Sequence, residues 1–435
     1  MSLLLGPMKQ HLDGHKGLTD HNEILALKDA KRVYIPLING QSTNVEVLVK
    51  EGDRVYVGTK VAQRNDSSIV PLFSSVSGKV VGQETFLHAI LKPVAHLVIE
   101  NDFKYETKAP FKPLDYTKAS EAELIDFTMN AGIVGCGGAG FPTYVKYKFA
   151  KDVHTILING VECEPYITAD YRIMNEKGKE MVIGIKAMMK MAKAPKAIIA
   201  IKASHPELIA TVKKEIEGHS DISVFPVPDV YPMGWERTVV FQVFKKRYDK
   251  LPGEVGVVVN NVTTAIALGT ALETGMPITE KIVTVSGDGV KEPHNVMVPV
   301  GVRVSELVAK CGGYASEDVL LCAGGPMMGK TLTNDQFVIT PYSNAITVLI
   351  TRPIDKVACL RCGRCSDNCP SSLQPVRINQ FEETKNYEML KRLAVNDCIE
   401  CGMCSYICPS KIDVTEGIRR AKRLVQTRAA AEVKK

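Results

Sequence analysis

The sequence predicts a multidomain α/β protein that ends in a ferredoxin-like domain. The length of 435 residues corresponds to about three domains at roughly 150 residues each. Strand and helix patterns alternate between residues 120 and 275, and eight of the twelve cysteines fall between Cys359 and Cys408. Apolar residues make up 45% of the chain and charged residues 23%, which excludes a wholly disordered or collagen-like protein.

The charge balance and the apolar runs argue against two classes of partner. Lys and Arg number 54 against 48 Asp and Glu, and a net charge of +6 over this length gives little support for nucleic-acid binding. The longest apolar runs, 197–201 and 345–350, fall short of the ~20 residues of a membrane helix. The N-terminal apolar stretch is too short for a signal peptide. We therefore expect a cytoplasmic protein without direct membrane insertion, peripheral to a membrane only through partners.

Two tandem cysteine runs predict two [4Fe-4S] clusters. Each run has the spacing C-x2-C-x2-C-x3-C-P of bacterial ferredoxins. In that pattern three thiolates on a tight loop bind one cubane, and the fourth cysteine of each run binds the other cubane. The predicted ligand sets are Cys359, Cys362, Cys365 and Cys408 for one cluster, and Cys398, Cys401, Cys404 and Cys369 for the other.

A pair of zinc sites is the alternative for these cysteines. Zinc typically binds two separated C-x2-C pairs or a mixture of Cys and His. Neither run contains a histidine, so we prefer the iron–sulfur interpretation. Two cubanes imply one-electron transfer, and the electrons must come from another part of the chain or from a partner. The segment between the two runs, 374–394, is predicted to be helical.

A glycine-rich loop predicts an anion site. The loop and its flank contain Gly135, Gly137, Gly138, Gly140 and Lys146. The glycines let backbone N–H groups approach a phosphate, and the lysine adds positive charge. The pattern also matches the dinucleotide fingerprint formally, but only two residues could form the preceding strand and Pro142 interrupts the following helix, so we reject that assignment. The remaining alternative is a flexible hinge.

A second candidate segment follows a predicted strand at 155–159. Asn159, Glu162 and Glu164 lie just past the C-terminal end of that strand, where ligands bind in open α/β sheets. Two glutamates would repel a phosphate, so we expect them to hold ribose hydroxyls or a carboxamide. The alternative is that one of the two is a solvated loop charge.

These segments together resemble a known family. The runs GCGGAGFPT, NGVECEPYITAD, YPMGWE, NNVTT and GGPMMG precede the two ferredoxin runs in that order. The combination resembles the C subunit of the Rnf electron-transport complex and, more distantly, the flavin-bearing subunit of respiratory complex I. The resemblance covers most of the chain.

The sequence departs from the usual pattern of that family in three places. Near its N-terminus it has GPMKQHLDGHKG where these proteins usually have a Gly-Gly-Ile-His-Pro type segment, and LINGQSTNVEV where a Gln-His-Ile-Gly-Ala-Pro stretch is usual. Trp235-Glu236-Arg237 follows the Tyr-Pro-x-Gly motif where Ala/Gly-Glu-Lys is usual. Within the family the chain is more similar to the electron-transfer proteins associated with D-proline reductase in amino-acid-fermenting anaerobes.

The resemblance implies FMN as a cofactor and NADH as a substrate. The residues that it assigns to the FMN phosphate and ribityl chain are Gly135, Gly137, Gly138, Ala139, Gly140, Lys146, Asn260, Asn261 and Thr264. Those that it places beside the isoalloxazine and nicotinamide rings are Asn159, Glu162, Glu164 and Glu236. Glu164 is the catalytic candidate among them.

The four cysteines outside the clusters receive different predictions. Backbone N–H groups and Lys146 would favour the thiolate of Cys136, which makes this residue a redox candidate. Cys163 lies between two glutamates and is expected to be a poor thiolate. Cys311 and Cys322 have apolar neighbours and are expected to be small core residues.

Four domains are predicted along the chain. They are an N-terminal barrel-sandwich domain of lipoyl-like type (1–110), an FMN- and NADH-binding α/β domain (111–278), a β-grasp-like SLBB domain (279–352) and a ferredoxin-like domain with a C-terminal helix (353–435). The resemblance implies that electrons pass from NADH through FMN and the two clusters to a protein acceptor, the D-proline reductase subunits. The alternatives are a peripheral subunit of the membrane Rnf ferredoxin:NAD oxidoreductase, with the membrane subunits or ferredoxin as partners, a cobalamin reductase, and a cluster-only relay without enzyme activity.

Overall fold

The computed structural model describes Gly6 and residues 10–433. Four units follow one another along the chain: a β sandwich, an α/β unit, a mixed sheet with one helix, and a helical unit that carries the eight clustered cysteines. This is the order of domain types that the sequence predicts. The residue boundaries between the domains remain a proposal.

The N-terminal segment contacts three of these units before the sandwich begins. The side-chain amide of Gln10 donates a hydrogen bond to Asn368 of the helical unit (2.9 Å), and the Gln10 carbonyl accepts one from Tyr231 N of the α/β unit (2.8 Å). Strand β1 (Leu25–Ala26) pairs in parallel with the mixed sheet, where Leu25 lies opposite Val296. The segment therefore links parts that are distant in sequence.

Two antiparallel sheets form the β sandwich. Its strands are β2 (Arg32–Pro36), β3 (Val45–Val47), β4 (Arg54–Val55), β5 (Lys60–Asn65), β6 (Ile69–Phe73), β7 (Gly78–Leu87) and β8 (Pro93–Asn101). One sheet has the order β2-β8-β7-β4 and the other β3-β5-β6. Alternate apolar side chains of both sheets, such as Val33, Val61 and Leu97, are buried between them, as expected for a sandwich.

The α/β unit alternates helices and parallel strands. Its elements are α1 (Glu121–Asn130), α2 (Thr143–Lys148), β9 (Thr155–Asn159), α3 (Ala169–Glu176), α4 (Gly178–Ala192), β10 (Ala197–Lys202), α5 (Pro206–Glu215), β11 (Ile222–Val227), α6 (Glu236–Phe244), β12 (Val257–Asn261) and α7 (Val262–Thr274). Helices α3 and α4 are separate, because the backbone of Lys177 leaves the helical conformation between them.

The order of the four strands defines the ligand-binding edge of this unit. The sheet order is β11-β10-β9-β12, with all pairs parallel. The chain proceeds from β9 to one side of the sheet and then returns to place β12 on the other side. Asn159 and Asn261, the last residues of β9 and β12, are partners in the register. Ligands of open α/β sheets bind at such a point, where the strand order reverses.

The mixed sheet has six strands and one helix. Its further elements are β13 (Glu280–Ser286), β14 (His294–Pro299), α8 (Val304–Lys310), β15 (Val319–Ala323), β16 (Lys330–Leu332) and β17 (Ala345–Ile350). The order is β1-β14-β13-β17-β15-β16. Strands β13 and β14 form an antiparallel pair on either side of the turn that contains Gly287-Asp288-Gly289.

The helical unit repeats one backbone pattern twice. Its helices are α9 (Arg364–Asp367), α10 (Pro375–Glu383), α11 (Tyr387–Arg392), α12 (Met403–Tyr406) and α13 (Val414–Val433). Gly363 and Gly402 both have φ 78° and immediately precede the short helices α9 and α12. The predicted helix at 374–394 is split into α10 and α11, because Asn386 caps a new helix by accepting a hydrogen bond from Met389 N.

Helices α4 and α7 cross in backbone contact beside the sheet. A Cβ atom added at Gly184 would lie 1.8 Å from the carbonyl oxygen of Ala265, and one added at Gly269 would lie 1.9 Å from that of Glu180. Both helices contribute to the largest apolar core of the chain. Because α7 begins at the ligand-binding edge, this crossing fixes the position of its first turn.

We predict that Gly184→Ala lowers the free energy of unfolding by about 2–4 kcal/mol, although alanine normally favours a helix over glycine by ~1 kcal/mol. The added methyl group would force the two helices apart. Urea unfolding followed by far-UV circular dichroism measures the effect. Gly253→Ala is the control, because no atom lies within 4 Å of its added Cβ. Equal unfolding midpoints for the two variants would contradict this account of the crossing.

Candidate cofactor sites

The glycine-rich loop stands at the end of β12 with free hydrogen-bond donors. Gly135 N donates to the carbonyl of Phe141 (2.9 Å), which closes the loop, and Cys136 N donates to the hydroxyl of Thr264 in the first turn of α7 (2.9 Å). No residue that the structure describes accepts a hydrogen bond from the backbone N–H groups of 137–140. Consecutive free N–H groups are suited to an anion, so the loop fits a flavin phosphate or ring oxygen.

Close neighbours leave no room for a side chain at two of the loop glycines. A Cβ atom added at Gly137 would lie 2.8 Å from the amide nitrogen of Asn261. At Gly140, where φ is +66°, it would lie 2.6 Å from the ring of Tyr342. Gly138 has no atom within 4 Å of such a Cβ. The loop is therefore packed tightly at both ends and open in the middle, which argues against a flexible hinge.

The asparagines at the end of β12 are held by hydrogen bonds. Asn261 caps α7 by accepting a hydrogen bond from Thr263 N (2.9 Å), and its amide donates to the carboxylate of Asp170 (2.6 Å). Asn260 donates to the hydroxyl of Tyr147 (2.7 Å). Asp170 was missed by the sequence reasoning, although it is the last residue of the run NGVECEPYITAD. Its role is to fix Asn261 directly beneath the glycine loop.

Lys146 does not supply the charge at the loop in this structure. Its ammonium group donates a hydrogen bond to the carbonyl of Val259 in β12 (2.6 Å). Burial lowers the pKa of Lys146, and the nearby carboxylate of Glu236 raises it in part. The expected contact between Lys146 and a phosphate stays a prediction. The free N–H groups of the loop are the anion donors that the structure presents.

The carboxylate of Glu162, in the loop before α3, caps the N-terminal end of that helix. Its carboxylate accepts hydrogen bonds from Asp170 N (2.7 Å) and Tyr171 N (3.3 Å) in the first turn of α3. Thr168, the residue at the N-cap position of α3, makes no side-chain capping bond. A carboxylate at this end of a helix also interacts favourably with the helix dipole. Glu162 is thus a half-buried group bonded to the backbone of α3, and its predicted ribose contact stays a prediction.

Lys16 holds the loop that carries both glutamates. Its ammonium group donates hydrogen bonds to the backbone carbonyls of Glu162 (3.0 Å), Glu164 (2.8 Å) and Ile167. Burial lowers the pKa of Lys16 and raises the pKa of Glu162, and each charge opposes the shift of the other. The sequence gave no signal for this residue, because it lies in the N-terminal segment, 146 positions before Glu162.

Glu164 joins the α/β unit to the mixed sheet. One carboxylate oxygen accepts hydrogen bonds from Met327 N (2.7 Å) and Met328 N (2.8 Å) of the GGPMMG run. The other oxygen lies 3.3 Å from the hydroxyl of Tyr231. Burial raises the pKa of Glu164, and these hydrogen bonds oppose the shift. Both glutamates are therefore engaged by the protein itself.

Asn159 and Glu236 lie on the far side of the same edge. The amide of Asn159 donates to the carbonyl of Gly234 (2.8 Å), which ties the end of β9 to the YPMGWE run. Glu236 opens α6 and accepts a hydrogen bond from the hydroxyl of Tyr248 (2.9 Å). The structure thus gathers the predicted residues of four separate runs at one edge of the sheet.

Of the four cysteines outside the helical unit, Cys163 is half-buried and the other three are buried. Burial raises the pKa of the Cys136 thiol, so the expectation of a favoured thiolate is wrong: burial outweighs the attraction of nearby positive charge. Its redox role stays a prediction. Burial raises the pKa of Cys163 to about 11, which confirms the prediction of a poor thiolate. Cys311 and Cys322 are buried core residues, as expected.

Two phenylalanines beside the glycine loop are unusually exposed. Phe141 precedes α2 and is 51% exposed, and Phe149 follows α2 and is 70% exposed. Large apolar side chains rarely stay in water on both sides of one helix without a partner. Neither was selected by the sequence reasoning. Phe141 directly follows the glycine loop and offers an exposed ring there.

The first of two cysteine sets lines a cavity inside the helical unit. About 340 Å³ of empty space is bordered by Cys369, Cys398, Cys401 and Cys404. Backbone N–H groups donate to the sulfur atoms of Cys369 and Cys398, both at 3.3 Å. This inner set is the crossed combination predicted for one cluster, and the cavity and its sulfur atoms fit that group.

The second set lies at the surface. Cys359, Cys362, Cys365 and Cys408 line one open cavity, and the first two are exposed. This outer set is the other crossed combination. Among the described residues, no three His, Cys, Asp or Glu side chains converge closely enough to hold a single metal ion. In the described part of the chain, no helix has the length and apolarity to span a membrane.

Family models match the chain in four consecutive places. The RnfC barrel sandwich hybrid domain matches residues 10–104, and the Nuo51 FMN-binding domain matches 128–270. The SLBB domain matches 282–331, and the 4Fe-4S dicluster domain matches 353–409. The predicted fold class is confirmed, and so are FMN and two [4Fe-4S] clusters as cofactors, with NADH as the fitting substrate.

Curated relatives match over most of their length. The C subunit of the Na(+)-translocating ferredoxin:NAD(+) oxidoreductase complex of Acetobacterium woodii is 35% identical, with 91% of each chain covered. The C subunit of the proton-translocating ferredoxin:NAD(+) oxidoreductase complex of Clostridium ljungdahlii is 34% identical, with 88% of this chain and 85% of the relative covered. The C subunit of the ion-translocating oxidoreductase complex of Rhodobacter capsulatus is 34% identical, with 85% and 73% covered.

A solved structure, the NAD+-reducing [NiFe]-hydrogenase in the air-oxidized state, resembles this one weakly. The TM-score is 0.49 at 18% identity, with 71% of this chain and 63% of that chain covered. A likeness at this level carries no weight here. The relatives and the four domain matches decide the matter: the chain belongs to the RnfC family, the C subunits of ferredoxin:NAD(+) oxidoreductase complexes, and is an NADH-dependent electron-transfer subunit.

Proposed function

We propose that this protein oxidises NADH and delivers the electrons one at a time to a protein acceptor. The observation that carries the proposal is a continuous series of contacts between the two cofactor sites. It runs from the glycine loop through Asn261 and Asp170 to Glu162, and along the backbone to Glu164. From there Tyr231 reaches the inner cysteine set at Cys401. A cluster-only relay would not need the free N–H groups of the loop.

The residues of the chain bind and orient, because the redox chemistry belongs to the cofactor. Bound FMN supplies the exchange between a two-electron hydride and single electrons. The free N–H groups of 137–140 hold its anionic or carbonyl oxygens, with Asn261 fixed beneath them. Phe141 and Phe149 offer stacking surfaces for the rings of a dinucleotide beside the loop. Glu164 and Glu236 border the ring side of the same edge.

The positions of the two cysteine sets give an order for the electrons. The inner set packs against Tyr231 and Cys163 of the α/β unit. The outer set opens to solvent, with Cys359 and Cys362 exposed. A protein acceptor can therefore approach the outer set more closely than the inner set, in which Cys369 and Cys401 are buried. We therefore propose the sequence flavin, inner cluster, outer cluster, acceptor, and the reverse order for NAD+ reduction.

Two acceptors are proposed. The first is the set of membrane subunits of an ion-translocating ferredoxin:NAD(+) oxidoreductase, which the names of the relatives support and which would make the protein peripheral to a membrane. The second is D-proline reductase, supported by Trp235-Glu236-Arg237 and the unusual N-terminal run. Incubating the NADH-reduced protein with each purified acceptor distinguishes the two, because only the true acceptor reoxidises the clusters rapidly.

The proposed activity predicts how the anaerobically reconstituted protein behaves. We expect about eight irons, consistent with two cubanes, and one FMN per chain. Mixing with NADH should bleach the flavin absorbance first and the cluster absorbance afterwards. Gly137→Val is expected to lose FMN and NADH oxidation but to keep its iron, because the new side chain meets Asn261. The proposal would be contradicted by wild-type protein that contains full iron and flavin but whose flavin absorbance is not bleached by NADH.

Removal of the Lys16 charge is predicted to loosen the loop at 162–167. In Lys16→Met three backbone carbonyls lose their donor and Glu162 loses its neighbouring cation, so the unfolding free energy should fall by about 3 kcal/mol. FMN content and NADH affinity should fall as well. Lys213→Met, at an exposed position of α5, is the control. Unchanged flavin content and unchanged stability in Lys16→Met would show that Lys16 does not hold the loop.

The crossed ligand sets predict which cysteine variants behave alike. Cys408→Ala should share its phenotype with Cys365→Ala, and Cys369→Ala with Cys401→Ala, because each pair lines one cavity. The first pair should lose the solvent-accessible cluster and the second pair the buried one. Iron analysis and electron paramagnetic resonance (EPR) of the remaining cluster decide this. If Cys408→Ala instead shares the phenotype of Cys401→Ala, then each run binds its own cluster.

A further inference from the structure

The hydroxyl of Tyr231 lies between the two cofactor sites. Tyr231 follows β11, and its side chain is only 3% exposed. Its hydroxyl donates a hydrogen bond to the backbone carbonyl of Cys401 in the inner set (2.7 Å) and lies 3.3 Å from the carboxylate of Glu164. One side chain of the α/β unit therefore contacts both a candidate flavin-site residue and a backbone group of the inner set.

The peptide that receives this hydrogen bond is fixed from a second side. Gly402, which follows Cys401, has φ 78°, and a Cβ added there would lie 2.5 Å from the carbonyl oxygen of Met327. Met327 N in turn donates to Glu164. The Cys401–Gly402 peptide is therefore held between Tyr231 and the GGPMMG run, so its dipole has one orientation relative to the inner cavity.

The surroundings of this contact are apolar. Leu12, Met403 and the half-buried side chains of Cys163 and Met327 pack around Tyr231 and Cys401. A hydrogen bond in such surroundings acts more strongly on a nearby charge than the same bond in water. The potential of an iron–sulfur cluster depends on hydrogen bonds and exposure around its ligands. Tyr231 is placed to influence the inner cluster in this way.

We propose that Tyr231 is a positioning residue that raises the reduction potential of the inner cluster through the Cys401 peptide. The inference rests on the proposed assignment of Cys401 as a ligand of that cluster. The hydroxyl hydrogen carries partial positive charge and points at the Cys401 carbonyl, which polarises this peptide. Added negative charge on the reduced cluster is stabilised by that polarisation, so the bond favours electron entry from the flavin side.

The test is the reduction potential of each cluster in Tyr231→Phe. Dithionite titration in the presence of mediators, followed by EPR, gives both potentials without any need for NADH turnover. We expect full iron and flavin, a more negative potential for the inner cluster and an unchanged potential for the outer cluster. A smaller fraction of the inner cluster should then be reduced at a given NADH/NAD+ ratio. Tyr406→Phe is the control, because Tyr406 is exposed on α12.

A second variant keeps the shape of the side chain. Fluorotyrosine at position 231 has a more acidic hydroxyl, which donates a stronger hydrogen bond, and should move the inner potential in the positive direction. If Tyr231→Phe loses iron, the potential of the inner cluster in the fluorotyrosine variant provides the test. Unchanged inner potentials in the iron-replete variants would overturn the inference. Failure of wild-type protein to oxidise NADH would contradict the proposed function but leave this titration valid. A Cys401→Ala protein that still binds eight irons would show that Cys401 is not a cluster ligand and would overturn the inference.

Discussion

The pairing of β9 with β12 is the constraint on which the site depends. These strands are adjacent and parallel, so their last residues, Asn159 and Asn261, end at one level. The loop after β9 and the first turn of α7 after β12 must then meet. The glycine loop closes over this meeting point through the bond of Cys136 N to Thr264. This register therefore places the runs NGVECEPYITAD and NNVTT, and the glycine loop that contacts the second of them.

The charged side chains beside the cofactor edge stabilise loops through hydrogen bonds within the protein, so they are not left unpaired for a ligand. Lys16, Glu162 and Glu164 are half-buried, and each makes hydrogen bonds with backbone groups. Half-buried charges of this kind are tolerated because they are paired and hydrogen-bonded. These hydrogen bonds hold the loops around the cofactor edge in place, and the backbone N–H groups of 137–140 provide the free donors. Preorganised backbone donors need no side-chain rearrangement when a ligand arrives.

The sequence predicted most of the architecture because local patterns determined it. Cysteine spacing predicted the two crossed groups of cysteines that line separate pockets, and strand–helix alternation predicted the parallel sheet. The helix breaks at Lys177 and Asn386 were missed, because backbone conformation at one residue leaves little trace in an apolar pattern. Lys16 and Asp170 were missed for another reason: their partners are distant in sequence, and only the folded chain brings them together. The Cys136 thiolate was predicted wrongly because the loop composition does not reveal burial.

The contacts of the N-terminal segment have a consequence for synthesis of the chain on the ribosome. Gly6 and Gln10 bond to Pro370 and Asn368, so these residues meet their final neighbours only after about 360 further residues have been synthesised. At roughly 5–20 residues per second, that delay is on the order of 20 to 70 seconds. Meanwhile the sandwich and the α/β unit can fold without these contacts. The segment can take its final position only after the helical unit has been synthesised.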